Sequence, residues 1–145
     1  MRYRKAVFIV AYSKTKKGIE YILLKRRLHW KGWEFPKGGI EPREKLGQAV
    51  RRELFEETKY TCDSIDFVNW FYTWPGRTAQ KNYVFVAKGL KNKNDLSQQN
   101  DNDNIQPDEK DIKVHMLSRE QIMAELKNGT KIKSSPIISA LFLAK

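Results

Sequence analysis

The sequence predicts an α/β fold, an α/β/α sandwich in which helices cover both faces of a mixed β-sheet. Two observations lead to this prediction. Apolar runs rich in β-branched and aromatic residues, which are typical of strands, recur along the chain. A segment with helical spacing separates the second run from the third, and two further helix signals follow the last run. The predicted order is therefore β, β, α, β, β, β, α, α within a single domain, residues 1–145.

The N-terminal part of the chain predicts a strand pair that leads into a loop. Strands are predicted at residues 5–12 (KAVFIVAY) and 19–25 (IEYILLK), and the Lys-Lys-Gly stretch that ends at Gly18 forms the turn between them. Residues 29–37 are interrupted by a glycine and a proline, which break regular structure. This segment therefore connects the second strand to the glycine-rich loop that begins at Gly38.

A helix is predicted from Lys45 to about Thr58. Its apolar residues recur every three or four positions, so they form one stripe that can be buried against a sheet. The charged residues of the same segment lie outside this stripe and are available for other contacts. The apolar positions are Leu46, Ala49, Val50 and Leu54.

The middle of the chain predicts two more strands and a long polar segment. The strands are predicted at residues 64–73 (SIDFVNWFYT) and 81–88 (KNYVFVAK), on either side of a WPGR turn. Residues 91–110 are dense in Asn, Asp and Gln and hold few aliphatic residues. Such a composition cannot bury enough apolar surface to offset the entropy of ordering, so we expect a mobile loop there.

The C-terminal part predicts a strand followed by two helices. The strand is predicted at residues 112–117 (IKVHML). Ser118 and Gln121 have the spacing of a capping box, which predicts a helix through about Lys127. A Ser-Pro pair begins a last predicted helix at residues 135–144, because proline is well suited to the first helical turn.

The segment from Gly38 to Tyr60, GGIEPREKLGQAVRRELFEETKY, carries the strongest functional signal. Glu53, Glu56 and Glu57 lie three and four positions apart, so their carboxylates can converge on one helix face. Carboxylates held that close repel each other unless a cation lies among them, and oxygen ligands select a hard ion such as Mg²⁺ or Mn²⁺. The alternative is a solvated acidic face braced by basic neighbours. The preceding Gly-Gly loop favours the metal site.

This segment resembles the Nudix box, Gly-x5-Glu-x7-Arg-Glu-U-x-Glu-Glu-x-Gly-U, in which U is a bulky apolar residue. The one departure is Lys59, which stands in place of the last glycine and precedes Tyr60 at the final apolar position. That glycine lets the helix end in a left-handed turn, so the exchange concerns the helix end more than the chemistry. The resemblance implies a Nudix-type α/β/α sandwich and a metal-dependent hydrolase that cleaves diphosphate links.

The resemblance also implies roles for individual residues. It places metal ligands at Glu53, Glu56, Glu57 and the backbone carbonyl of Lys37, with Glu53 also acting as a base. Arg52 would hold the catalytic carboxylates. The structural residues of the motif would be the loop glycines and the glutamate that anchors the loop to the helix, namely Gly38, Gly39 and Glu44.

A further acidic residue from a later loop often binds metal or activates water in the resembling family. The candidates here are Asp108, Glu109 and Asp111, and we select Glu109, so the implied catalytic set is Glu53, Glu57, Arg52 and Glu109. A solvated loop is an equally good interpretation of the three acidic residues.

The substrate is less well specified. The run WEFPKGGIEPRE resembles dinucleoside polyphosphate hydrolases and RNA 5′-pyrophosphohydrolases, and a dinucleoside polyphosphate is the first candidate. Lys37 and Lys81 would contact phosphate, Tyr83 would contact a base, and Trp33 would stack on one. Trp30, Tyr72 and Trp74 are further stacking candidates, although aromatic residues are more often core.

Three alternatives remain open. An RNA 5′-pyrophosphohydrolase or decapping enzyme shares the same motif. An ADP-ribose pyrophosphatase is supported by the position of Pro75, fifteen residues after the box, but the loop that supplies an extra glutamate in those enzymes reads RTAQK here. A non-catalytic nucleotide-binding or RNA-binding module belongs to another class, and three crowded carboxylates argue against it.

The composition of the chain limits the classes of partner that it can bind. A formal net charge of +11 indicates a polyanionic partner such as a nucleotide, a polyphosphate or an RNA end, although a lysine-rich proteome gives the same excess. The chain has no run of eighteen apolar residues and no signal-like N-terminus, and its one cysteine, Cys62, cannot form an internal disulfide. We therefore expect a cytoplasmic protein with no membrane partner. Because homodimers are common in the family that the chain resembles, either a monomer or a homodimer is expected.

Overall fold

The computed structural model describes residues 4–26, 32–73, 80–92, 112–129, 132, 139–141 and 144. Nine strands and two complete helices lie in these ranges. In chain order they are β1 (Arg4–Thr15), β2 (Gly18–Arg26), β3 (Trp33–Glu34), β4 (Lys37–Gly39), α1 (Leu46–Thr58), β5 (Tyr60–Thr61), β6 (Ser64–Thr73), β7 (Gln80–Lys88), β8 (Lys91–Asn92), β9 (Ile112–Ser118) and α2 (Arg119–Asn128).

The five long strands and the first two helices confirm the sequence prediction within a few residues. The capping box at the start of α2 is also confirmed, because the Ser118 hydroxyl accepts from Gln121 N and the Gln121 side chain accepts from Ser118 N. Four strands of two or three residues were not predicted, since such short pairings leave no periodic pattern. Of the last predicted helix, residues 139–141 are helical and its predicted start lies outside the described residues.

The first two residues of the predicted polar loop belong to a short strand. Lys91 and Asn92 form β8, which pairs antiparallel with β5 in a small two-stranded sheet. The rest of the predicted loop lies outside the described residues. The pairing is between segments about thirty residues apart, so no local feature of the sequence indicates it.

The main sheet has the order β3-β2-β1-β7-β6, with β4 also paired to β1 and β9 also paired to β2. The pair β1–β7 is parallel and the other pairs are antiparallel, so the sheet is mixed as predicted. The turn between β1 and β2 uses Gly18 at φ +104°, a backbone conformation that a side chain would strain. The edge strand on one side is β6.

The sheet is covered on its two faces by different helices. On one face, here called the α1 face, Val7 and Ile9 of β1 pack in one cluster with Val50 and Leu54 of α1. On the opposite α2 face, alternate residues of the same strand pack in a second cluster with Ile122 of α2. Strand β1 is buried on both faces, which explains its continuous apolar run.

In the described ranges, no helix has the length and apolar character needed to cross a membrane, α1 and α2 having 13 and 10 residues.

Helix α1 ends at a lysine in a left-handed conformation. Lys59 has φ 62° and ψ 18°, and its N–H donates to the Phe55 carbonyl at 2.8 Å. The chain therefore keeps the backbone turn for which glycine is suited, with a side chain that makes this conformation unfavourable by about 1–2 kcal/mol. The Lys59 ammonium lies 5.4 Å from the centre of the Phe55 ring, a contact that offsets part of this strain.

We expect Lys59→Gly to raise the free energy of unfolding by about 0.5–1 kcal/mol, because glycine removes the strain but adds entropy to the unfolded chain. Urea unfolding measures this change. Lys59→Ala is the control, since it removes the same long side chain and retains the Cβ. Equal stabilisation by alanine and glycine would show that the lysine side chain, not the backbone, is unfavourable.

Candidate functional site

The candidate site lies where the glycine loop passes under α1. Gly38 pairs with Val7 in the register between β4 and β1, on the α1 face of the sheet. A Cβ atom at Gly38 would overlap the carboxyl group of Glu53, whereas a Cβ at Gly39 would meet nothing within 4 Å. The absent side chain at Gly38 therefore provides the space in which the Glu53 carboxylate sits.

Arg52 links the carboxylates of this site to the loop. Its guanidinium makes a bidentate ion pair with Glu44, from Nε to Oε1 at 2.7 Å and from Nη2 to Oε2 at 2.9 Å. Nη1 donates to Glu53 Oε1 at 2.7 Å and to Glu56 Oε2 at 3.2 Å. Nη2 also donates to the carbonyl of Gly39 at 2.9 Å. One planar group thus fixes three glutamates and the loop backbone together.

The same arginine has different effects on two of these glutamates. Its hydrogen bonds lower the pKa of Glu44 to about 2, so this carboxylate is ionised throughout the physiological range. Burial raises the pKa of Glu53 above its ordinary value, and the hydrogen bond from Arg52 only partly opposes this effect. The pKa of Arg52 is raised, chiefly by its hydrogen bond to Glu44. Glu53 is consequently the more basic carboxylate.

The three predicted metal ligands are neighbours on α1, and two of them share a partner that the third does not. Glu57 Oε2 accepts from the backbone N–H of Lys37 at 3.2 Å, while Glu53 and Glu56 both bind Arg52. Within the described ranges, no three acidic, histidine or cysteine side chains are close enough together to hold a metal ion. The donors are nevertheless all carboxylate oxygens, the type that Mg²⁺ and Mn²⁺ prefer. Glu56 is 46% exposed, so it has room to rotate toward the other two.

Lys37 is a phosphate contact in the sequence prediction, and its ammonium is already paired. Its Nζ lies 3.1 Å from Oε2 of Glu34, whose side chain is only 5% exposed. Sequence analysis did not identify Glu34, because its partner is set by the β3–β4 geometry. A phosphate bound at Lys37 would compete with this buried carboxylate.

Trp33 lies in a different part of the molecule from the carboxylates. It is 8% exposed, belongs to the α2-face cluster and stacks on His115 with ring centres 4.5 Å apart. It also lines a cavity of about 450 Å³ with residues of β9 and α2, namely Leu117, Gln121, Ala124, Glu125, Asn128 and Gly129. The sheet therefore separates Trp33 from Lys81 and Tyr83, and its role as a substrate contact stays a prediction.

Lys81 and Tyr83 lie on the α1 face of β7, the face that carries the carboxylates. Tyr83 pairs with Val7 across the sheet and packs at the edge of the α1-face cluster. The Lys81 ammonium lies 4.2 Å from the Trp70 ring and 5.2 Å from the Tyr83 ring. Sequence analysis missed Trp70. The remaining predicted residues Glu109, Asp108, Asp111, Trp30, Trp74 and Pro75 lie outside the described residues.

The chain is similar to known proteins over most of its length. A family model described as NUDIX domain matches residues 2–138. An RNA pyrophosphohydrolase of Proteus mirabilis (strain HI4320) is 36% identical over 98 residues, which are 64% of this chain and 52% of that protein. A methanol dehydrogenase activator of Bacillus methanolicus is 31% identical over 93 residues, 64% of this chain and 50% of that protein. The chain spans about half the length of these curated relatives.

Solved structures share the fold. A structure titled as an ADP compounds hydrolase superposes with a TM-score of 0.75 at 24% identity, over 99% of this chain and 71% of that chain. A NUDIX hydrolase from Nitrosomonas europaea superposes with a TM-score of 0.71 at 17% identity, over 99% of this chain and 88% of that chain. At these identities the likeness establishes the fold, and it agrees with the predicted α/β architecture.

We expect Glu44→Gln to lower the free energy of unfolding at pH 7 by roughly 2–3 kcal/mol. The pKa of Glu44 falls from 4.5 to about 2 on folding, which corresponds to about 3.4 kcal/mol before screening by solvent reduces it. This contribution is complete above pH 4.5 and is lost as the pH falls toward 2, so the variant and the wild type should converge in acid. Urea unfolding at several pH values measures both effects.

Glu41→Gln is the matched control. Its carboxylate is 65% exposed and lies 3.8 Å from Nε of the same arginine, so little change is expected. If the two variants lost equal stability, the bidentate pair would not be the source of the stabilisation.

Proposed function

Because the chain belongs to the Nudix family, we propose that it is a pyrophosphohydrolase that uses Mg²⁺ or Mn²⁺ to cleave a diphosphate link in a nucleotide substrate. The observation that carries this proposal is the placement of Glu53. Its carboxylate lies against Gly38, is oriented by Arg52 and is partly desolvated. A buried carboxylate with a raised pKa, next to two further glutamates, can act as a proton acceptor in a site that binds anions.

The residues divide into binding and positioning roles. Glu53, Glu56, Glu57 and the backbone carbonyl of Lys37 would hold the divalent cation. When bound, such a cation neutralises charge on phosphate oxygens and lowers the pKa of a water molecule. Glu53 accepts a proton from the attacking water, and Glu109 is a second candidate for that role. Arg52 is a positioning residue, because its contacts are to carboxylates and the loop carbonyl.

Two substrate classes remain in the proposal. The sequence run around the glycine loop resembles both dinucleoside polyphosphate hydrolases and RNA 5′-pyrophosphohydrolases, and the KNYVFVA segment favours dinucleoside polyphosphates. The relative named RNA pyrophosphohydrolase favours the 5′ end of a phosphorylated RNA. The pairing of Lys37 with Glu34 makes this lysine a weaker phosphate contact, which removes part of the argument for a long polyphosphate. We therefore rank the RNA 5′ end first and the dinucleoside polyphosphate second.

The test is release of pyrophosphate or nucleotide from triphosphorylated RNA, capped RNA, diadenosine tetraphosphate, ADP-ribose and nucleoside triphosphates, each with Mg²⁺ or Mn²⁺. We expect turnover of at least one substrate, reduced about 10²–10⁴-fold by Glu57→Gln. The control is Glu120→Gln, the same exchange at an exposed position at the start of α2. Mn²⁺ should also raise the melting temperature of the wild type more than that of Glu57→Gln, which reports binding independently of turnover.

The result that contradicts the proposal is binding of these compounds without hydrolysis of any of them. That outcome would support a nucleotide-binding or RNA-binding module instead. Hydrolysis of ADP-ribose alone would retain the chemistry and reject both ranked substrates.

We expect Gly38→Ala to reduce turnover by about 10²-fold or more while changing stability little. The new Cβ would displace the carboxylate of Glu53, which is the flexible end of a side chain and can move at small cost to folding. A displaced catalytic group, however, loses the geometry that its chemistry needs. Steady-state kinetics and thermal unfolding of the same preparation measure the two effects.

Gly39→Ala is the neighbouring control, because a Cβ there meets nothing within 4 Å and leaves the carbonyl that binds Arg52 intact. Comparable losses of activity in both variants would mean that the loop tolerates no side chain at all, and the specific contact with Glu53 would not be the cause.

A further inference from the structure

An aromatic and cationic surface lies on β6 and β7, beside the carboxylate site. Three of its side chains are large, apolar and unusually exposed for a sheet, at 53% for Phe67, 41% for Trp70 and 37% for Tyr72. Trp70 and Tyr72 meet edge to face, with ring centres 5.0 Å apart. We call this surface the aromatic patch and define it by Phe67, Trp70, Tyr72, Lys81 and Tyr83.

A β-bulge places these side chains together. The register between β6 and β7 shifts between Phe67 and Asn69. In a regular strand, residues an odd number of positions apart face opposite sides, so Phe67 and Trp70 would be separated by the sheet. The extra residue of the bulge brings Trp70 and Tyr72 to the face of Phe67, and Trp70 then pairs with Tyr83.

The aromatic patch shares one face of the sheet with the candidate site. Gly38, Val7, Tyr83 and Trp70 are successive partners in the registers of β4, β1, β7 and β6. With neighbouring strands about 4.8 Å apart, three spacings separate Trp70 from Gly38, a distance of about 14 Å. Because Gly38 lies under Glu53, Trp70 lies about 14 Å from the reacting carboxylate.

The charge of the patch favours an anion. Lys81 lies over the rings of Trp70 and Tyr83, and the sequence of β7, QKNYVFVAK, contains no acidic residue. The acidic residue of β6, Asp66, is opposite Val86 on the α2 face and pairs with Lys88 at 3.7 Å. A second copy of this chain on the patch would bring two such lysines and two net charges of +11 together. Their repulsion disfavours a second copy as the occupant. Exposed rings beside a lysine suit a polyanion whose bases have π-faces.

We propose that the aromatic patch binds bases of a single-stranded RNA whose 5′ phosphates lie at Glu53. This inference rests on the proposed hydrolase function and names its substrate class. In a stacked strand with about 3.4 Å per nucleotide, 14 Å corresponds to about four nucleotides. Nucleotides from about the fourth onward would therefore reach the patch, whereas a shorter RNA would bind only at the carboxylate site.

The experiment measures binding of 5′-triphosphorylated oligouridylates of about two and about eight nucleotides, in the Glu57→Gln background, in which turnover is strongly reduced. We expect the longer RNA to bind more tightly. Trp70→Ala should weaken its binding about 5- to 150-fold, the range for loss of one stacked base, and leave the shorter RNA unchanged. Lys81→Ala should reduce the salt dependence of binding by about one counterion.

Two variants separate stacking from general apolar contact. Trp70→Phe keeps a π-face and should retain most of the affinity for the longer RNA, whereas Trp70→Leu keeps apolar volume and should lose it. Met123→Ala is the control, because this side chain is 39% exposed on α2, on the opposite side of the sheet. In the active enzyme, Trp70→Ala should raise KM for the longer RNA and leave kcat and the hydrolysis of short substrates unchanged.

Three results would overturn the inference. The first is equal affinity of the two RNAs for the wild type. The second is an effect of Trp70→Ala on diadenosine tetraphosphate but not on the longer RNA, which would assign the patch to a second nucleoside. The third is a homodimer in sedimentation that Trp70→Ala dissociates, which would make the patch a subunit interface. If turnover still depends on Glu57 in any of these cases, the proposed hydrolase function is retained and only the RNA-binding role of the patch is rejected. Failure of the inference is therefore distinguishable from failure of the proposed function.

Discussion

The bidentate ion pair between Arg52 and Glu44 is the contact on which the candidate site depends. Four glutamates lie close to the glycine loop, and without a cation among them their mutual repulsion would separate the loop from α1. Arg52 bridges the two elements, because Glu44 precedes the helix and Gly39 belongs to β4. The site is thus organised by a charge of the protein itself.

The fold determines where this site can receive a long substrate. Helix α1 packs against β4 and β1, whereas the side chains of Phe67, Trp70 and Tyr72 on the outer part of the same sheet face are exposed to solvent. The carboxylates lie at the boundary between the covered and the uncovered part. The bulge in β6 then adds rings to the uncovered part by moving Trp70 to that face. A local irregularity in an edge strand therefore changes the surface next to the reacting groups.

Sequence patterns predicted those features that arise locally. The period of the apolar residues predicted α1, and the capping box at Ser118 predicted α2. The box motif selected the carboxylates of the candidate site, and their roles as metal ligands stay a prediction. Features that depend on pairing between distant segments were not predictable. The alternation of β6 gives no sign of a bulge, so Trp70 was not recognised as a surface residue of the α1 face. Trp33 has a ring that can stack on a base, but it is buried in the core on the α2 face. Lys59 adopts a conformation that its side chain disfavours, because the surrounding fold fixes the turn.

The two glutamates that Arg52 holds are equally buried, with side chains 11% and 13% exposed, and they differ in the number of hydrogen bonds that each accepts. Both accept a short hydrogen bond from the same guanidinium, so hydrogen bonding alone would lower the pKa of both. Glu44 accepts two bonds from Arg52 and one from the backbone N–H of Glu41, and these lower its pKa. Glu53 lies against Gly38 and accepts a single bond from Arg52, so the loss of water outweighs the arginine and raises its pKa. The carboxylate with the structural contact is thereby fixed in its charged form, and the carboxylate beside the loop gains basicity. The absence of a side chain at Gly38 is thus a condition for the basicity of Glu53 as well as for its position.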